Sequence, residues 1–325
     1  MTLSLSLEEL EQSAELVYRH MGPTPQYAWP LLAERTGVEV WVKHENHTPI
    51  GAFKVRGGLN YMQRLKEEQP CLSGVISATR GNHGQSIGFA SRVTGMAATI
   101  LVPFGNNPEK NEAIRTLGVD LIEYGDDFQE AAEQAQTMAV SKGLHMLPAF
   151  HPWLVGGVAS YGLEFFRAVP DLEAVFVAIG MGSGICSLIQ ARNVLGLKTR
   201  IYGVVSENAP AYCLSFREGR VVNTNSADTL ADGVACRSPN EQAVETILDG
   251  AADIITVSED EILSAMGYYF LDTHNVAEGA GAVPLAALMQ RRNDFADKQV
   301  GLILSGGNAD KDLMKRVLDH VDGEK

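Results

Sequence analysis

Ala174-Val175-Phe176-Val177-Ala178-Ile179-Gly180-Met181-Gly182-Ser183-Gly184 runs six apolar residues straight into a glycine-rich turn. The apolar run is far short of the roughly 20 residues a membrane span needs. It is also too continuously apolar for a strand with one face in water. It reads as a strand covered on both faces, as in parallel sheets flanked by helices. Outward from it, similar short apolar runs recur at 38–42, 74–77, 98–102, 120–124, 201–205, 254–257 and 301–304. Amphipathic stretches such as 128–142 and 259–272 lie between them. Strands alternating with helical patterns predict an α/β chain built on parallel sheets. Residues 74 to about 150 read as their own set of strand, glycine-rich loop, helix, strand, helix, strand, helix, and a second set begins at Val175. Two sheets with a cleft between them make a natural ligand site. No Pro/Ser/Gly linker, low-complexity tract or solenoid repeat divides the chain.

Composition narrows the classes. The chain has 325 residues, enough for two domains, with 45% hydrophobic and 20% charged side chains. Its 26 basic against 40 acidic residues give a net charge of −14. That balance argues against nucleic acid and against an anionic membrane surface. Cys71, Cys186, Cys213 and Cys236 are widely spaced, without metal-ligand spacing, so no metal is expected and a reducing compartment fits. The N-terminal Met-Thr-Leu-Ser-Leu-Ser-Leu-Glu-Glu has no basic region and does not read as a signal peptide. Cytoplasmic location is the expectation.

Five stretches carry candidate chemistry. Lys54 sits in Pro49-Ile50-Gly51-Ala52-Phe53-Lys54-Val55-Arg56-Gly57-Gly58. A lysine amine condenses with an aldehyde and, once released, can act as a base; most lysines are simply solvated. Gly51, Gly57 and Gly58 read as residues that permit tight backbone turns and close approach to a ligand. Ser77-Ala78-Thr79-Arg80-Gly81-Asn82-His83-Gly84-Gln85-Ser86 follows a strand and precedes a helix expected from about Gln85. Its helix N-terminus suits a carboxylate, and an ordinary turn with Asn82 as the helix cap fits equally. Gly180-Met181-Gly182-Ser183-Gly184 can cradle a phosphate on backbone amides. It can also be a close-packed turn, or open a dinucleotide site with Glu207 near the ribose, although Ile185 breaks the GxGxxG spacing. Leu304-Ser305-Gly306-Gly307-Asn308 ends another strand. Glu278, in Val276-Ala277-Glu278-Gly279-Ala280-Gly281-Ala282, is either a charge at a helix N-terminus or a group facing a ligand.

In this order, from Thr24-Pro25 to about Asn308, the stretches resemble the fold-type II pyridoxal phosphate (PLP) enzymes, whose architecture is that of the tryptophan synthase β subunit. The nearest likeness is the serine/threonine dehydratase and serine racemase group. The resemblance implies two three-layer parallel-sheet domains with the cofactor in the cleft between them. Residues 1–50 plus 151–325 would form the large PLP-binding domain and 51–150 the small one. Lys54 would be the Schiff-base lysine and catalytic base, with Phe53 shaping the pocket beside it. Asn82 would meet the cofactor's 3′-hydroxyl, Gly180, Met181, Gly182, Ser183 and Gly184 the phosphate, and Ser305 the ring nitrogen, with Glu278 also facing the cofactor. Thr79, Arg80, Gly81, Asn82 and His83 would hold the substrate. The implied reaction is removal of the Cα proton by Lys54, loss of the β-hydroxyl, and release of a 2-oxo acid and ammonia. Sulfhydrylases of this fold resemble one another in carrying Asn-Thr where this chain has Asn82-His83, which disfavours cysteine synthesis.

The chain departs from the family pattern in three places. Arg80 stands where the racemases have a second catalytic serine, which disfavours racemisation. It is expected either to meet an anion or to turn to solvent. Val205 and Ala211 replace the acidic ligands of the racemase cation site. The chain ends soon after Asn308, so the regulatory domain of biosynthetic threonine deaminases is expected to be absent. Threonine and serine are the default substrates, with 3-hydroxyaspartate and phenylserine as further candidates. The expected partners are a small amino acid and a second copy of the chain, with no nucleic acid and no membrane. Rival readings are a racemase of the same family, a dinucleotide-dependent oxidoreductase, and a non-catalytic amino-acid-binding protein.

Overall fold

The computed structural model describes residues 2–323. In chain order its elements are α1 (Leu7–Tyr18), β1 (Gln26–Ala28), α2 (Pro30–Thr36), β2 (Glu39–His44), α3 (Lys54–Glu68), β3 (Gly74–Ala78), α4 (Asn82–Thr94), β4 (Ala97–Val102), α5 (Pro108–Arg115), β5 (Asp120–Glu123), α6 (Phe128–Lys142), β6 (His145–Met146), α7 (Pro152–Ala168), β7 (Ala174–Ala178), α8 (Ser183–Val194), β8 (Arg200–Ser206), α9 (Ala211–Glu218), α10 (Glu241–Gly250), β9 (Asp253–Val257), α11 (Glu259–Thr273), α12 (Gly279–Arg291), β10 (Gln299–Leu304) and α13 (Lys311–Gly323).

The strands form two sheets, ordered β1-β2-β10-β7-β8-β9 and β5-β4-β3-β6. Every pairing is parallel except β1 with β2, which is antiparallel. All eight strands read from the sequence are present, and β1 and β6 are additions. The four strands of the smaller sheet fall between residues 51 and 150, and the six of the larger sheet fall outside that range. Alternation along β7 shows why its sequence is apolar throughout. Val175 and Val177 pack into one core with Phe165, Ile185 and Ile247. Ala174 and Phe176 point into another with Val42, Tyr269 and Leu302. The smaller sheet repeats this: Val75 and Ile100 face Leu59 and Ile87, while Ile76 and Leu101 face Ala131, Ala135 and Ala139 of α6.

Local chemistry sets the helix ends. Ser6 with Glu9, and Ser258 with Glu261, form capping boxes at α1 and α11. Asp127 caps α6, and Gly143 ends it at φ 62°. No helix among the described residues is long and apolar enough to cross a membrane.

Helices α3 and α7 join the two sheets. Gly57 and Gly58, expected in turns, lie instead inside α3. They are glycines because neighbours pass close by: a Cβ on Gly57 would stand 3.0 Å from the Leu154 carbonyl oxygen of α7, and one on Gly58 would overlap Ser86 of α4. Behind them lies a buried set of charges. Arg56 donates to Glu45 at 2.7 and 2.9 Å and to Glu164 at 2.6 and 3.0 Å. Lys43 also donates to Glu164, so two cations meet two anions. With every charge paired and hydrogen-bonded, the burial penalty is offset.

Candidate active site

The exits of β2, β3, β7 and β10 converge at the carboxyl ends of the strands, where open α/β sheets collect ligands. After β2, Thr48 closes the lysine loop on itself, its hydroxyl accepting from the Ala52 N–H at 2.9 Å and donating to the Ala52 carbonyl at 2.8 Å. Gly51 takes φ +68°, and a Cβ there would press on the Asn308 side chain. The loop is stitched to the turn after β10. Ala52 bridges Gly306, the Phe53 N–H donates to the Ser305 carbonyl at 2.9 Å, and the Gly307 N–H donates to the Gly51 carbonyl at 2.9 Å. Lysine loop and serine turn, 251 positions apart at Lys54 and Ser305, are one unit in space.

Lys54 opens α3, with its backbone carbonyl held by the Ser86 hydroxyl at 2.6 Å. Its Nζ lies 5.3 Å from the centre of the Phe53 ring. Burial pulls the amine pKa down to about 8, with the Glu278 charge acting in the opposite direction. A solvated lysine keeps its proton to about pH 10.4. This one releases it near neutrality, as a nucleophile or base must.

After β3, the Thr79 hydroxyl accepts the Gly81 N–H at 3.1 Å. Helix α4 begins at Asn82, with Gly81 in the cap position and no side-chain cap. The expected start near Gln85 with Asn82 as the cap is therefore corrected. The Asn82 amide is drawn into the site instead. Its Nδ2 donates to Glu278 Oε1 at 2.7 Å, and its Oδ1 accepts from Asn308 Nδ2 at 2.8 Å. Glu278 occupies the cap position of α12 without capping it. Burial raises its pKa; the Asn82 hydrogen bond and Lys110 oppose that rise, and Asp232 adds to it.

After β7, Gly182 takes φ 97° and precedes α8. The loop carbonyls are tied down by phenols: Tyr212 donates to Met181 at 2.9 Å and Tyr161 to Gly184 at 3.0 Å. No side chain caps α8. Its first-turn N–H groups, from Ser183 onward, therefore offer an anion site. Tyr161 also meets Phe53 edge-on, ring centres 6.2 Å apart, which links this loop to the lysine loop.

His83 is half-buried near Lys54, and its buried Nε2 has no hydrogen-bond partner. Arg80 stands apart: it is exposed, and no carboxylate pairs with its guanidinium among the described residues. Val205 and Ala211 are buried, and no cluster of His, Cys, Asp or Glu suited to a metal ion occurs among the described residues. Sequence reading missed Asn308 as a site residue, although it had been read as part of the turn after β10. It also missed Lys110 and Asp232, which pair across the cleft beside Glu278. Nothing in the sequence near either one signals that pairing.

A free amine of lowered basicity and an uncapped helix N-terminus together suit a cofactor carrying an aldehyde and a phosphate. The chain is 32% identical over 316 residues to an L-threonine ammonia-lyase of Thermotoga maritima, covering 97% of this chain and 78% of that one. It is 30% identical to an L-threo-3-hydroxyaspartate ammonia-lyase of a Pseudomonas species, covering 94% and 96%. Its fold superposes on the processed form of threonine deaminase isoform 2 from Solanum lycopersicum with a TM-score of 0.90 at 29% identity, covering 98% and 95%. The family model described as pyridoxal-phosphate dependent enzyme matches residues 17–306. A lysine of lowered basicity with an uncapped helix N-terminus in the same site is what such a cofactor needs, and the chain belongs to the pyridoxal-phosphate dependent enzyme family, with the two-sheet fold-type II architecture.

Proposed function

We propose that this protein is a PLP-dependent ammonia-lyase that converts a β-hydroxy-L-amino acid of the serine/threonine type to a 2-oxo acid and ammonia. The observation that carries the reading is Lys54. It is a half-buried lysine whose amine has lowered basicity, within electrostatic reach of Glu278, which Asn82 hydrogen-bonds, and joined through Phe53 and Tyr161 to the glycine loop. Lys54 would hold the cofactor through its amine and, with that amine free, would remove the Cα proton. PLP supplies an electron sink for the charge left at Cα. The amides from Gly180 to Gly184, with Met181 and Ser183, bind the phosphate. Asn82, oriented by Asn308, meets the ring hydroxyl, and Ser305 the ring nitrogen. Thr79, Gly81, Asn82 and His83 receive the substrate. Exposed Arg80 is left to reach a second carboxylate, if the substrate has one.

Residues 51–150 are proposed as the small domain and 1–50 plus 151–325 as the large one, a division supported by the two sheets. The cysteines are free, which supports a reducing cytoplasmic setting. The working form is proposed to be a homodimer.

The test is 2-oxo acid release by the PLP-reconstituted protein from L-serine, L-threonine, 3-hydroxyaspartate and phenylserine. Turnover of at least one is expected, with 3-hydroxyaspartate losing most in Arg80→Ala. Release from none of the four would overturn the reading.

A further inference from the structure

His83 lies in the first turn of α4, next to Asn82 and within electrostatic reach of Lys54. One ring nitrogen is bonded to the Pro148 carbonyl. The other, Nε2, is buried and has no partner. Since a carbonyl only accepts, Nδ1 must be the nitrogen that carries the proton. In a neutral imidazole the remaining nitrogen is then a bare acceptor. Burial, and after it the neighbouring Lys54 charge, push the pKa down to about 3, so the ring stays neutral at any working pH. Native proteins rarely leave a buried polar atom unused, so this one calls for an explanation in strain, an ordered water or a role in the reaction.

The substrate brings few donors to this nitrogen. A substrate carboxylate only accepts, and the substrate amine is consumed in displacing Lys54. The β-hydroxyl remains. We infer that His83 Nε2 accepts the hydrogen of the substrate β-hydroxyl, so that this imidazole selects β-hydroxy amino acids and fixes rotation about the Cα–Cβ bond before the hydroxyl leaves. The inference rests on the ammonia-lyase reading and assigns one atom within it. His83 is thereby a substrate-touching residue whose contribution depends on the hydroxyl.

The experiment compares L-serine with β-chloro-L-alanine, whose leaving group has no hydrogen to donate, in the holoenzyme and in His83→Phe and His83→Gln. Phenylalanine removes the acceptor, and glutamine keeps one near the Nε2 position. His83→Phe should lose about 10- to 100-fold in kcat/KM on serine, the scale of one buried hydrogen bond, and less than about 3-fold on the chloro compound. His83→Gln should recover most of the loss. Equal losses on both substrates, or none on serine, overturn the inference while leaving the lyase reading standing. A wild-type enzyme inactive on both, and on L-threonine, 3-hydroxyaspartate and phenylserine as well, overturns that reading and the inference with it. A second readout does not depend on turnover or on how the variants fold. The ¹⁵N resonance of Nε2 in the wild-type holoenzyme should be that of an unprotonated nitrogen. It should shift on adding α-methylserine, which lacks the Cα proton, and stay put with 2-aminoisobutyrate, which lacks the hydroxyl. A protonated Nε2, or the same response to both, contradicts the assignment.

Discussion

The basicity of Lys54 sets what the site can do before any substrate arrives. Only the neutral amine attacks an aldehyde, and its pKa of about 8 marks where that form takes over. The rate at which apoprotein captures PLP should therefore climb with pH up to about 8 and level off above it. Stopped-flow absorbance reads this directly; a rate still climbing steeply to about pH 10.4, as for a solvated lysine, would show that burial does not tune the amine. The sequence singled out Lys54, Asn82 and Ser305 by the glycine-rich stretches around them and by the order in which those stretches occur. Their supports were not singled out. Asn308 earns its place through Asn82, 226 positions earlier, to which it donates at 2.8 Å. The free nitrogen of His83 follows from a hydrogen bond to Pro148, which no local pattern announces.

Elements were read well where they are long and apolar. Strands as short as β1 and β6, three and two residues, fall below the length at which alternation can be recognised. The glycines of α3 were misread because Gly-Gly is a turn signal in isolation, and only the packing of α3 against α7 and α4 reveals their purpose. Two stability predictions belong to this contact. In Gly157→Ala of α7 the new methyl would overlap the backbone carbonyl of Arg56, costing about 1–3 kcal/mol as an overpacked contact. Arg56→Met should cost more, about 3–5 kcal/mol, because it strands Glu45 in the interior and leaves Lys43 as the one cation on Glu164. Urea denaturation of both variants checks the order. A Gly157→Ala protein as stable as wild type would mean that α3 and α7 are free to separate. The Arg56 network was invisible from sequence, since its partners Glu45 and Glu164 stand 11 and 108 positions away.

Across the whole molecule, the two sheets meet over the cleft through a few polar contacts. Lys110 of α5 pairs with Asp232, and Asn107 donates to Asp310 at 2.7 Å. Both contacts tie the small-sheet side to the large one beside Glu278. Lys110→Asp should raise KM and hasten PLP loss, and the reversed pair Lys110→Asp with Asp232→Lys should restore both. If the double variant is no better than the single, the pair does not hold the cleft closed. The fold class followed from the alternation of strands and helices, whereas the approach of the two halves depends on side chains no sequence pattern brings together. Everything proposed for the cleft rests on Lys54 as the cofactor's anchor and as the base at Cα. The visible absorption spectrum of the PLP-reconstituted protein and its Lys54→Ala variant, each then given substrate, tests this most directly. The wild type should show a band at about 410–420 nm, the mark of PLP joined to a lysine, and should release 2-oxo acid. Lys54→Ala should lack the band and lose about 10²- to 10⁴-fold in turnover, the usual share of a general base. A wild-type protein without the band, or a Lys54→Ala variant that keeps both band and turnover, would contradict the account.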